Sequence, residues 1–118
     1  MLTPRFVDKL LADEIQTVFI TGCGGGFDFL HGMLLYEALR ARGKRVIVGS
    51  YSFGEAERIE GAPVVFQEGG AMAKRVSAES VANPYYGPEV HLCSFLDGRF
   101  PDGAPHEVYA YYARAWTV

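Results

Sequence analysis

The sequence is poor in cysteine, in net charge and in long apolar runs, and each shortage excludes a class of protein. Its two cysteines are too few for a disulfide framework and favour a reducing compartment. A formal net charge of −3 provides no broad basic surface for nucleic acid. The longest apolar runs reach only about half of a membrane span, and the first residues lack the pattern of a signal peptide. The composition therefore predicts a soluble, cytoplasmic protein that binds neither nucleic acid nor a membrane.

The length and the apolar content predict a single domain. The chain has 118 residues, of which 49% are hydrophobic and 21% are charged. This is enough for one buried core, so residues 1–118 are interpreted as one domain. No internal repeat or low-complexity segment divides it.

An apolar run that ends in glycines is the most informative stretch of the sequence. Residues 18–20 are apolar without polar alternation, which is typical of a strand buried on both faces. Glycines follow this strand, and Asp28 then begins a helical pattern that continues to about residue 42. A second apolar run at residues 46–48 completes a β-α-β unit, whose two strands are expected to be parallel. The expected buried stripe of the helix contains Leu30, Met33, Leu34, Ala38 and Ala41.

The rest of the chain has weaker patterns. Residues 63–66 and 108–112 are candidate strands, and Pro88 begins a candidate helix. The stretch 67–88 looks irregular apart from a helical turn within 71–82. So long an irregular stretch indicates a functional loop or a missed element.

These elements together predict an α/β fold of the Rossmann-like type. The expected architecture is a three-layer αβα arrangement around a short, mostly parallel sheet of about four strands. Residues 115–118 are apolar and carry no stop signal, whereas a chain end is usually polar. We therefore expect a fold that is incomplete at its C-terminus.

The glycine segment has the composition of an anion-binding turn. Backbone N–H groups in such a turn point into a concavity, and the helix that follows adds the positive end of its dipole. The dinucleotide fingerprint is incomplete, because Phe27 stands at the third glycine position and no acid follows the second strand. Ser50 and Ser52 stand after that strand, either as ligand contacts or as hydroxyls that close a turn. The predicted ligand-binding residues are Gly22, Gly24, Gly25, Gly26, Asp28, Ser50 and Ser52.

The other polar residues near the turn have two interpretations each. As an N-cap, Asp28 stabilises its helix by about 1 kcal/mol. As a ligand contact, it accepts a hydrogen bond from a ribose hydroxyl or an amine, or holds a metal such as Mg²⁺ against a phosphate. Cys23 and His31 are near enough in sequence for a nucleophile and its base, although a small residue tolerated in the turn is the simpler explanation. Cys93 is expected in the core, and no histidine has the spacing of a zinc site.

The segment Gly22 to Asp28, with residues 46–52, resembles an uncharacterised family of archaeal and bacterial α/β proteins. The shared pattern is a strand, Gly-x-Gly-Gly-Gly-x-Asp, a long helix, and a strand that ends in Gly-x-Ser. Pro88 and residues 108–112 are also similar, so the resemblance covers most of the chain. It implies a Rossmann-like fold and no established activity. Because members of that family are longer, it also implies that this chain is an N-terminal portion.

Two functions follow from these patterns. The first is binding of a nucleotide, or of another phosphorylated or otherwise anionic metabolite, at the glycine turn; whether a reaction follows stays open. The second is a non-enzymatic subunit or fragment whose glycines are purely structural. It would act as a homo-oligomer, or through association with a missing C-terminal half. The aromatic residues expected at that interface are Tyr109, Tyr111, Tyr112 and Trp116.

Overall fold

The computed structural model describes residues 5–22, 32–51, 55–81, 88–103 and 105–113. The described residues form helices, strands and a 3₁₀ turn. In chain order they are α1 (Arg5–Leu11), β1 (Thr17–Thr21), α2 (Met33–Ala41), β2 (Arg45–Tyr51), the 3₁₀ turn (Glu55–Arg58), β3 (Val64–Glu68), β4 (Ala71–Val76), α3 (Pro88–Arg99) and β5 (Glu107–Ala113).

The strands form one five-stranded mixed sheet in the order β1-β2-β5-β4-β3. β1, β2 and β5 are parallel to one another, whereas β4 runs antiparallel to both β5 and β3. The β1-α2-β2 unit is parallel, as the sequence predicts. The expected Rossmann-like sheet is wrong, however, because both the number and the order of the strands differ from it.

The strand that sequence reasoning missed is β4, which lies where an irregular stretch with a helical turn was expected. Alanine, methionine, lysine and arginine in this segment favour a helix. The sheet overrides that preference, because β4 pairs with β5 on one side and with β3 on the other. Gly69 and Gly70 connect β3 to β4 with φ values of 59° and 84°. Two consecutive residues with positive φ form the tight turn of a β-hairpin, so this Gly-Gly pair was the available signal.

The described helices cover one face of the sheet, here called the helix face. Its side chains come from the even-numbered residues of β1, β2 and β5, and they include Val48, Val108 and Ala110, which are fully buried. α2 approaches Ile20 of this face, and Glu37 of α2 pairs with Arg99 of α3. On the opposite face, here called the open face, the described residues leave Phe19 56% exposed. The expected three-layer arrangement, with strands buried on both faces, is therefore wrong for the described part of the chain.

The buried stripe of α2 is rotated from the one that the sequence predicts. Tyr36 and Leu39 are buried, whereas Leu34 is 84% exposed. Gly32 precedes the helix, and a Cβ at this position would lie 2.4 Å from Cγ2 of Ile20. The absence of a side chain at Gly32 lets the chain pass close to Ile20 of β1 immediately before α2 begins.

None of the helices among the described residues is long and apolar enough to cross a membrane. Residues 115–118, on which the expectation of an incomplete fold rests, lie outside the described residues.

Candidate functional site

Two of the predicted ligand-binding residues, Gly22 and Ser50, lie in the described part of the chain. The others lie outside it, as do the two members of the alternative nucleophile–base pair. They are Gly24, Gly25, Gly26, Asp28 and Ser52, together with Cys23 and His31.

Gly22 and Ser50 lie at the carboxyl ends of neighbouring parallel strands. Thr21, the last residue of β1, is in register with Gly49 of β2, so Gly22 and Ser50 are the next residues along the two strands. Adjacent strands are about 4.8 Å apart. The glycine segment therefore begins at the edge of the sheet where ligands bind in open α/β folds.

Ser50 forms a buried hydrogen bond with Glu89 at this edge. Its Oγ donates to Oε1 of Glu89 across 2.8 Å, and the two residues are only 1% and 2% exposed. Glu89 is the second residue of α3, where the helix dipole favours a negative charge. The pair joins β2 to the start of α3. The predicted contact between Ser50 and a ligand stays a prediction, and the hydroxyl proton of Ser50 is engaged by Glu89.

Glu89 is the residue at this edge that sequence reasoning did not place in the site. Pro88 marked the start of the helix correctly, and a glutamate directly after it looked like an ordinary first-turn acid. Its burial depends on how closely α3 approaches β2, which only the tertiary structure shows.

Tyrosine and threonine hydroxyls lie on the open face at the same edge. Oγ1 of Thr21 and the hydroxyl of Tyr111 are 2.5 Å apart, and Tyr51 donates a hydrogen bond to the backbone oxygen of Ala113 across 3.1 Å. The rings of Tyr51 and Tyr111 meet edge to face with centroids 5.7 Å apart. These contacts connect the ends of β1, β2 and β5 on the side opposite to the helices.

The tyrosines of β5 divide between the two faces. Tyr112 is buried on the helix face and donates a hydrogen bond to Glu57 of the 3₁₀ turn. Tyr109 and Tyr111 lie on the open face and are partly exposed. Trp116 lies outside the described residues.

Cys93 is buried in the core, as expected, with 3% of its surface exposed. Burial, together with the nearby Asp97, Glu89 and Glu79 carboxylates, raises the pKa of its thiol to about 12. Cys93 therefore stays a thiol at neutral pH and is not a nucleophile. The described residues include no group of three or more His, Cys, Asp or Glu side chains that could hold a metal ion.

Together these observations define a small α/β protein with a mixed sheet and a candidate binding edge at the carboxyl ends of its parallel strands. Comparison with protein-family models, with curated proteins and with solved structures gives no match.

Proposed function

We propose that this protein binds a nucleotide, or another phosphorylated or carboxylated metabolite, at the carboxyl edge of β1 and β2. The observation that supports this proposal is the parallel register that pairs Thr21 with Gly49, so that Gly22 and Ser50 are the next residues along the two strands. A glycine segment at such an edge offers backbone N–H donors to an anionic group. The ligand is bound in the cytoplasm, because the low cysteine content suits a reducing compartment.

In this proposal the glycines and the polar side chains have different roles. Gly22, Gly24, Gly25 and Gly26 donate backbone hydrogen bonds to the anionic group. Asp28 accepts a hydrogen bond from a hydroxyl or amine of the ligand, or holds Mg²⁺ against its phosphate. Ser50 is the last but one residue of β2, and Ser52 comes next but one after it in the sequence. The buried pair of Ser50 and Glu89 supports the edge by holding the start of α3 against β2.

The test is a thermal-shift titration of the purified chain with ATP, ADP, NAD, glucose 6-phosphate and pyrophosphate, each with and without Mg²⁺. A ligand that binds only the folded state stabilises it by about 2.7 kcal/mol at a concentration of 100 Kd. We expect at least one of these compounds to raise the melting temperature of the wild type. The increase should be lost in Gly25→Val, because a branched side chain blocks the approach of a ligand to the backbone.

The matched control is Gly98→Val. Gly98 is exposed on α3, and a Cβ there would meet no atom within 4 Å. This variant should keep the full response to the ligand. A folded Gly25→Val protein with wild-type affinity would contradict the proposal. Asp28→Ala distinguishes the two proposed contacts of that residue with the ligand, a hydrogen bond or a shared Mg²⁺. If the variant still binds the ligand but Mg²⁺ no longer strengthens binding, Asp28 holds the metal.

A second candidate function is association of two copies through the open face. Phe19 and Phe66 lie on this face, and they are 56% and 50% exposed. Large apolar side chains exposed on the same face of a sheet are typical of an interaction surface. Sedimentation velocity at micromolar concentration should then detect a dimer that Phe19→Ser weakens.

Phe95→Ser is the control for this second candidate, because Phe95 is 60% exposed on α3 and belongs to the opposite side of the sheet. It should leave the dimer intact. A wild-type protein that sediments strictly as a monomer would contradict association through the open face.

A further inference from the structure

A cavity lies at the other end of the sheet, where the parallel strands begin. Its volume is about 790 Å³, within the range of small-molecule pockets. The C-terminal half of α2, the first residues of β2, the end of β4 and the loop between α3 and β5 form its walls. β2 is seven residues long, and at about 3.3 Å per residue the cavity is roughly 20 Å from the carboxyl edge. It is therefore separate from the site proposed at the glycine segment.

Basic side chains outnumber acidic ones by one in the lining of this cavity. Four basic residues line it, namely Arg40, Lys44, Arg45 and Arg75, against the three acidic residues Glu37, Asp102 and Glu107. The charge of Glu37 is balanced from outside the lining, because Arg99 forms an ion pair with it. The cavity therefore has an excess of positive charge in a protein whose formal net charge is −3.

Two of the basic residues already have structural partners. Arg45 donates to both carboxylate oxygens of Glu107, across 2.7 Å from Nε and 2.6 Å from an Nη atom. This bidentate contact lowers the pKa of the Glu107 carboxyl. Lys44 is 9% exposed, and its ammonium donates to the backbone oxygens of Ala12 and Ile15. Lys44 thus connects β2 to the segment between α1 and β1.

Arg75 is one cation of this cavity whose side chain is available to a ligand. Its side chain is exposed on the open face at the end of β4, and no side-chain hydrogen bond or ion pair engages it among the described residues. The positive charge of Arg75 contributes to the lowered pKa of Glu107. Because Arg45 already contacts both carboxylate oxygens of Glu107, the donors of the Arg75 guanidinium are left for other acceptors.

Arg40 is held in place by a hydrogen-bonded chain of side chains. Its guanidinium donates to the hydroxyl of Tyr36 across 3.4 Å and lies 6.0 Å from the ring centre of Phe100. The Tyr36 hydroxyl forms a hydrogen bond with Nδ1 of His106. The other ring nitrogen of His106, Nε2, is 3.4 Å from the backbone oxygen of Phe100. Since that oxygen only accepts, Nε2 carries the proton and Tyr36 donates to Nδ1. This chain orients Arg40 before any ligand arrives, which lowers the entropic cost of binding.

Gly103 lies beside Arg40 in the wall of this cavity. A Cβ at Gly103 would lie 3.6 Å from Nη2 of Arg40, and the φ of Gly103 is +112°, which disfavours any side chain there. Phe100 and Pro105 form an apolar part of the cavity wall. The cavity thus combines an apolar wall with arginine donors, and arginine donors match the planar geometry of carboxylates and phosphates.

From this combination we propose that the cavity, which extends around the amino ends of β2 and β5 from Arg40 on the helix side to Arg75 on the open side, binds the carboxylate or phosphate group of a small metabolite, with these two arginines as its cationic contacts. The bound group exchanges its hydration for charge-assisted hydrogen bonds from the guanidinium groups. The remainder of the metabolite packs against Phe100. This site is independent of the glycine segment.

The test uses the full chain with citrate, inorganic phosphate and pyrophosphate as probes, titrated by calorimetry at constant ionic strength set with NaCl. We expect saturable binding of at least one probe. Arg75→Gln removes a charge-assisted hydrogen bond to the bound probe, and this loss should weaken the affinity for the probe by about tenfold or more. Arg40→Gln should weaken it as well, and Arg40→Lys should recover part of the loss because it restores the charge without the planar donor group.

The matched control is Arg5→Gln, which removes the same charge from an exposed position on α1 outside the cavity. It should bind the probe as the wild type does. Equal affinities of the wild type and a folded Arg75→Gln, or no saturable binding of any probe to the wild type, would overturn the proposal. A response to citrate alone would assign the site to carboxylates, and a response to the phosphates alone would assign it to phosphate esters.

Gly25→Val distinguishes this site from the one proposed above. Binding to the arginine cavity should survive that substitution, whereas binding at the glycine segment should not. A probe whose affinity falls in Gly25→Val and is unchanged in Arg75→Gln would support the glycine segment and contradict the cavity.

Discussion

Replacing Ser50 with alanine should destabilise the protein by about 2 kcal/mol. The substitution removes the hydroxyl that donates to Glu89 across 2.8 Å, in an environment where Glu89 is only 2% exposed. Among the described residues, Ser50 is the side chain that donates to this carboxylate. Hydrogen bonds to charged groups contribute about 1.5–3 kcal/mol, and a buried acceptor that loses its donor keeps its full desolvation cost.

This loss is large enough to measure against the whole stability of the chain. For 118 residues, a stability of 0.05–0.15 kcal/mol per residue corresponds to about 6–18 kcal/mol. With a urea m-value of about 2 kcal/mol/M, Ser50→Ala should lower the unfolding midpoint by about 1 M without changing the slope. Equilibrium urea unfolding at pH 7, followed by fluorescence and by circular dichroism, is the assay.

A double-mutant cycle with Glu89→Met separates the hydrogen bond from other effects of each substitution. Replacing both partners by apolar groups removes the unsatisfied polar atoms, so the double variant should be destabilised by less than the sum of the single variants. We expect a coupling of about 1–2 kcal/mol between Ser50 and Glu89. A Ser50→Ala protein with an unchanged midpoint, or strictly additive effects in the cycle, would refute the reasoning that this pair holds α3 against β2.

Three further predictions concern packing, protonation and thiol reactivity. Gly32→Ala should destabilise the fold by about 1–3 kcal/mol in urea unfolding, because the added methyl group overlaps Ile20. Burial, and then the charge of Arg40, lowers the pKa of His106. As the pH falls, the imidazole of His106 is therefore protonated in the unfolded chain before it is protonated in the folded one. The free energy of unfolding should be highest above about pH 6.5 and should decrease at lower pH. Unfolding curves measured between pH 5 and pH 8 should show a smaller decrease for His106→Gln. In a Cys23→Ser protein, the Cys93 thiol should react with an aromatic disulfide reagent only as fast as the protein opens, because its pKa is about 12 and it is 3% exposed.

Each of these predictions has a control in the same chain. Gly98→Ala adds the same methyl group at an open position of α3, where it should be neutral or stabilising. His91→Gln changes an exposed histidine and should not reduce the fall in stability at low pH to the same extent. The thiol of Cys93 should react at once in concentrated urea. A destabilised Gly98→Ala, equal effects of the two histidine variants, or rapid labelling of the native thiol would contradict the respective prediction.

The local elements of the fold could be predicted well from the sequence. Apolar runs identify β1, β2 and β5, and Pro88 correctly marks the start of α3. The parallel β1-α2-β2 unit follows from the spacing of its strands, because a crossover of this length packs back on the sheet as a parallel connection. Local patterns suffice here because periodicity and capping are properties of neighbouring residues.

The sheet as a whole could not be predicted in the same way. β4 contains residues that favour a helix, and it becomes a strand because β3 and β5 supply partners on both sides. Likewise, Phe19 reads as a core residue in an apolar run, and its 56% exposure depends on which faces the helices cover. These outcomes rest on contacts between residues far apart in the sequence.

The two candidate sites also differ in whether they depend on neighbouring residues or on residues far apart in the sequence. The glycine segment at Gly22 is a local pattern, and the sequence by itself points to the carboxyl edge where that segment begins. The buried pair of Ser50 and Glu89 and the cavity lined by Arg40 and Arg75 join residues separated by 39 and 35 positions. No local pattern encodes such contacts, because they form only when packing of the helices on the mixed sheet brings distant side chains together. The sequence alone therefore determined where a ligand would be sought, and the tertiary structure decided which side chains meet there and which face of the sheet stays open.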